Sequence, residues 1–162
     1  MSENQKFSEA EADRLFAIKH NGLTWDLLAK NNRTPDEDAL MIHAAHSSCM
    51  HWLQIGTVTH HQRGEWLISH VYSILGYGAA ALRHAQVCMN LTRDNPALMQ
   101  DFDLAYAYEA IARASALSGD MDTANEYYTL AEKVGQAIAN DEDKQIFTGD
   151  LKSGEWFGLT LD

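Results

Sequence analysis

Residues 101–136 read DFDLAYAYEAIARASALSGDMDTANEYYTLAEKVGQ, and this stretch decides the fold. Alanine and larger apolar residues recur three and four positions apart, the period of a helix. Gly119-Asp120 breaks the run, and a second helical run follows. Two helices joined by a tight turn are therefore expected here. Asp101 or Asp103 opens the first, Asp122 caps the second, and the second reaches about Asn140.

Working outward, every other segment has the same period, and none alternates at the period of a strand. Ser8 with Glu11, and Thr34-Pro35 with Glu37, form capping boxes at two helix starts. The spacing predicts a helix from Ser8 through Leu27, interrupted at Asn21-Gly22. A second runs from Thr34 to about Ile55, ended by Gly56. A third covers Val58–Leu75 and a fourth Gly78–Thr92, with Asn95-Pro96 as the next break. Asp141 opens a short seventh helix. Trp156, Phe157 and Leu159 in the tail are expected to fold back on the last hairpin. The result is one all-α domain. It has three hairpins at about 8–55, 58–92 and 101–140, plus a cap over 141–162.

The second helix of each hairpin carries a small–large–small stripe. It reads Ala39, His43, His46, then Ala81, Ala85, Cys88, then Ala124, Tyr128, Ala131. The leading alanines lie 42 and 43 residues apart. A small residue at the first slot lets the partner helix approach closely. The last unit, with Tyr108, Ile111, Ala112, Gly119, Ala124, Tyr128 and Ala131, resembles a tetratricopeptide (TPR) repeat. The middle unit is similar through Ser69, Tyr72, Leu75-Gly76 and Ala81. Ser115 stands where the family usually has an aromatic residue, and the first unit matches only on its second helix. The period exceeds the roughly 34 residues common in the family and resembles its longer-helix variants. The whole chain resembles bacterial TPR-like proteins, a resemblance that implies a TPR-like α-α superhelix and no activity.

The resemblance also implies a concave groove lined by first helices. Carried over, its positions are Arg63, Trp66, His70 and Ser73, then Tyr106, Glu109, Arg113 and Ala116. Each set shares one helical face. Two arginines and two aromatics on that face point to a groove for a peptide or small acidic ligand. Family members that clamp a terminal carboxylate use lysine and asparagine here, and this chain does not. The structural alternative is that Arg63 and Arg113 pair with Glu109 or Glu65 and that neighbours cover the aromatics.

Eight histidines give a second candidate. His43 and His46 stand on the second helix, and His61 and Glu65 on the third. Counted from the Gly56-Thr57 turn, His46 falls level with Glu65 or Trp66, and His51 with His61. A metal site would take His43, His46 and Glu65 as ligands, making the chain a metal-binding protein or metal-dependent enzyme. In the repeat register, however, His43 and His46 occupy packing slots, and no H-E-x-x-H motif is present. Ser47, Ser48 and Cys49 lie near histidines without a nucleophile elbow.

Composition narrows the function classes. A net charge of −11 disfavours nucleic acid and anionic membrane surfaces. No apolar run approaches a membrane span, and Met1–Lys6 lacks the apolar core of a secretory leader. A cytoplasmic protein is expected, with Cys49 and Cys88 reduced. The expectation is a non-catalytic protein- or peptide-binding module without a cofactor, or else a self-associating subunit.

Overall fold

The computed structural model describes residues 6–161. Residues 1–5, on which the leader reading partly rests, and residue 162 lie outside it. Among the described residues there are seven α-helices and no strand. They are α1 Glu9–Leu28, α2 Pro35–Ile55, α3 Val58–Ile74, α4 Gly78–Asp94, α5 Asp101–Leu117, α6 Met121–Gln136 and α7 Asp141–Lys152. A single 3-10 turn, Pro96–Leu98, links α4 to α5.

Both capping boxes form, at Ser8/Glu11 and at Thr34/Glu37. Helices α5 and α7 begin at Asp101 and Asp141 as expected, and only the cap of α6 differs from expectation. At the start of α5 the Gln100 backbone amide donates to Asp103 Oδ2, inside the helix, at 2.8 Å. Asp120, not Asp122, caps α6 through the Thr123 amide, and Asn140 caps α7. For α6 and α7 the capping oxygen sits before the first turn, where it reaches the orphan amides. Asn21-Gly22 does not interrupt α1, because one glycine inside a packed helix costs only about 1 kcal/mol.

The helices pair as α1/α2, α3/α4 and α5/α6, and the pairs stack in order. The turns after α3 and α5 are alike. Gly76 and Gly119 take φ of 83° and 85°. The Tyr77 amide donates to Tyr72 O, and the Asp120 amide to Ser115 O. This six-residue closure needs a residue in the left-handed region, which glycine adopts without steric cost.

Close approach within hairpins follows the small residues. Ser69 Oγ donates to Ala81 O across α3/α4 at 2.8 Å, and Ser48 Oγ to Ala17 O across α1/α2 at 2.8 Å. Helix α5 is buried along almost its whole length, because it packs on α3, α4, α6 and α7 together. Its alanines 105, 107, 110, 112, 114 and 116 give the clearance those neighbours require.

The register of the first hairpin corrects the expected repeat. Ala39 and His43 are exposed and His46 half-buried. The buried stripe of α2 is Met41, Ala45, Ser48 and Cys49, packed toward Leu27, Ile68 and Val71. It matches Ala81, Ala85, Cys88 and Met89 of α4 position by position, so the first interval is 40 residues. Methionine fills the slot that alanine holds later, which disguises the match. Beyond α6, Phe147 of α7 is buried in the notch left by Gly135. Trp156, Phe157 and Leu159 pack with the α5/α6 core, as expected for the tail.

Candidate functional site: an aromatic cleft

Helices α3, α5 and α7 are first-type helices that lie side by side, and α1 joins them through Trp25. Between them opens a cleft of about 390 Å³. Trp25 of α1, Trp66 of α3, Phe102 and Tyr106 of α5, and Ile146 and Asp150 of α7 supply most of its wall. Trp25 and Trp66 stack with centroids 6.1 Å apart, and Tyr106 meets Trp66 edge-on at 5.2 Å. Such offset and edge-on contacts fix ring positions.

Polar groups hold the walls in place. Trp66 Nε1 donates to Glu109 Oε2 at 3.0 Å. The Tyr106 hydroxyl donates to Asp150 Oδ2 at 2.5 Å. Burial, with Asp150 beside it, raises the Tyr106 phenol well above its usual range, so it stays protonated. Arg63 forms a two-pronged pair with Asp103, Nε to Oδ1 at 2.9 Å and a terminal nitrogen to Oδ2 at 3.1 Å. Its guanidinium also lies 5.1 Å from the centre of the Phe102 ring.

Of the groove residues expected from the sequence, Arg63, Trp66 and Tyr106 line this cleft. Glu109 and Arg113 lie behind it as a buried ion pair, Nε to Oε1 at 2.5 Å, with 3% and 5% of each residue exposed. Arg113 does more than pair. It donates to the carbonyls of Ser153 and Glu155 at 3.2 and 2.9 Å and lies over the Trp156 ring at 4.1 Å. It therefore fastens the tail to α5. Ser73 and Ala116 are buried. His70 stacks on Trp66 at 5.0 Å and, with Ser73 and Arg113, borders a separate cavity of about 320 Å³ under the tail. Its Nδ1 is buried without a partner, and burial lowers its pKa.

The sequence reading missed Trp25, Gln62, Asp103, Ile146 and Asp150. Gln62 and Asp103 lie on first helices already singled out, one position from Arg63 and three before Tyr106. The remaining three lie on α1 and α7, helices the repeat register did not reach.

The histidines disperse into packing roles. His46 Nε2 lies 3.0 Å from the Tyr72 hydroxyl. Glu65 accepts from His84 at 2.6 Å and from His61 at 3.2 Å. Burial alone would raise the Glu65 pKa, but these two histidines hold it below the usual carboxylate value. His43 is exposed, and His51 pairs with Asp13 of α1 at 2.7 Å and not at the level of His61. Among the described residues, no three His, Cys, Asp or Glu side chains are grouped to hold a metal. The trio His43, His46 and Glu65 therefore has no common centre.

The fold and site define a stack of helical hairpins with an aromatic cleft on its first-helix face. No family model, curated protein or solved structure matches the chain. Among the described residues, no helix is long and apolar enough to cross a membrane.

Proposed function

We propose that this chain is a non-catalytic binding module of the TPR-like kind, which takes a peptide segment of a partner protein in the aromatic cleft. The observation that carries this reading is the cleft itself. Four helices from separate parts of the chain contribute to one concave, aromatic surface of the size that binding sites occupy. Aromatic residues in such a setting are the usual anchors of recognition. Cys49 and Cys88 are buried thiols, with Cys49 pushed up to about 12 by burial. Inert reduced cysteines accord with a cytoplasmic location.

Panning a displayed random-peptide library against the protein tests the reading. Trp25 is 45% exposed, so Trp25→Ala changes the cleft with little cost to the core. Peptides enriched on the wild type should be lost on Trp25→Ala with helicity and melting unchanged. Equal recovery on both proteins would contradict the cleft as the site.

Self-association is a second reading with its own support. Leu15 and Ile18 of α1 and Leu40, Met50 and Leu53 of α2 are exposed on the first hairpin. The C-terminal end, in contrast, is covered by α7 and the tail. Concentration-dependent light scattering that Met50→Lys and Leu53→Lys abolish would support a dimer through this end. A constant monomer mass across the concentration range would exclude it.

A further inference from the structure

Gln62, in the wall of the cleft, carries a polar atom that is shut off from solvent and has no partner. Gln62 is 1% exposed and lines the cleft from α3. Its Nε2 donates to Thr92 Oγ1 at 3.0 Å and to Asp103 O at 3.2 Å. The Thr92 hydroxyl hydrogen is already given to Cys88 O at 2.8 Å. Both neighbours of Nε2 are therefore acceptors, which fixes the amide orientation and leaves Oε1 as the unpaired atom. Turning the amide over would set an acceptor against two acceptors. An unmet buried acceptor is costly, and a ligand that brings a donor relieves that cost.

Charge restricts the donor further. Arg63 is engaged by Asp103, and Arg113 by Glu109 and tail carbonyls. Asp103 already offsets the charge of Arg63, and Arg113 is buried, so neither guanidinium pulls strongly on an acidic ligand. Asp150, in contrast, is exposed, and its carboxylate is met by the neutral Tyr106 hydroxyl. Two carboxylates, Asp103 and Asp150, thus stand against one guanidinium, Arg63, at the cleft. Beside them, Trp25 offers the electron-rich ring surface that attracts cations.

We infer that the cleft takes the lysine or arginine side chain of a basic peptide, with its apolar stem against Trp25 and Ile146, Asp150 as counter-charge, and an N–H that meets the buried Gln62 Oε1 as the cleft wall adjusts around it. This rests on the reading of the cleft as a peptide groove. The net charge of −11 favours the encounter with such a segment. A quaternary ammonium is disfavoured, since it brings charge without an N–H for Gln62 Oε1 to accept.

The test is an NMR titration of the full-length, isotope-labelled protein. The probes are blocked glycine-flanked peptides carrying one central arginine, lysine, norleucine or glutamate. The arginine and lysine peptides should saturably shift the Gln62 side-chain amide and the Trp25 indole N–H. They should bind about tenfold more tightly than the norleucine and glutamate peptides, as one charge-assisted hydrogen bond implies. Asp150→Asn, a surface change that still accepts from Tyr106, should remove most of that preference. Gln62→Met should do the same if it folds, and Asp150→Asn decides the matter if it does not. Equal or tighter binding of norleucine or glutamate at the same resonances overturns the inference and leaves the peptide groove standing. Shifts by basic peptides only at acidic residues outside the cleft overturn the inference as well. If no peptide moves any cleft resonance, both fall.

Discussion

Arg113 illustrates how a residue chosen for binding becomes a structural one. Its guanidinium is buried, paired with Glu109, and satisfied by tail carbonyls. Removing one member of a buried pair leaves the other charge uncompensated, at about 3–5 kcal/mol. Arg113→Met should therefore lower the urea-unfolding free energy by about that amount. Glu109→Gln added to it should recover part of the loss. An exposed, ligand-reading arginine would show neither effect. The pairing with Glu109 was legible in the sequence from the i, i+4 spacing. The contacts with Ser153 and Glu155 were not, because they join residues some 40 positions apart. Arg63 is the reverse case. It does reach the cleft, with 47% of its side chain exposed, yet its partner is Asp103 and not the nearby Glu65.

At the level of elements, α7 is both the end of the stack and the fourth wall of the cleft. Its anchor is Phe147 in the notch at Gly135, where an added Cβ would lie 2.3 Å from the ring. Gly135→Ala should destabilise by about 1–3 kcal/mol despite the better helix propensity of alanine. Hydrogen exchange should locate the loss in Asp141–Lys152. Gly149→Ala in α7 meets nothing within 4 Å, so it should be neutral or stabilising by up to about 1 kcal/mol. Equal effects of the two substitutions would contradict the docking described for α7. Helix boundaries were largely readable from caps and glycines, since those depend on local chemistry. The register of α2 was not. Its buried slot holds Met41, while the visible alanine pattern at Ala39 faces solvent. A single sequence cannot distinguish a stripe of small residues from a stripe of equal period beside it.

Across the whole molecule, acid should loosen the fold. His20, His46, His60 and His70 all have pKa values below the ordinary 6.5, with burial as the leading cause. They take up protons less readily in the folded chain than in the unfolded chain. The unfolded state then binds more protons, so stability falls as pH drops through that value. Glu65, held below its ordinary 4.5, adds a further loss at lower pH. The melting temperature should decrease from pH 7 to pH 5, and His70→Asn should flatten that decrease. A melting temperature that rises over the same interval would contradict neutral burial of these rings. All-helical character was readable along the entire chain, because helical period and capping recur in every segment. The cleft was readable only on the middle and last hairpins. Its outer walls, Trp25 and Ile146, belong to helices whose neighbours are set by the stacking and not by local pattern.

The most direct test of the cleft as the binding surface is hydrogen–deuterium exchange with and without a library-selected peptide. Protection should appear around Asn21–Trp25 of α1, Gln62–Leu67 of α3, Phe102–Tyr106 of α5 and Ile146–Asp150 of α7. Protection confined to the second helices α2, α4 and α6 would contradict it.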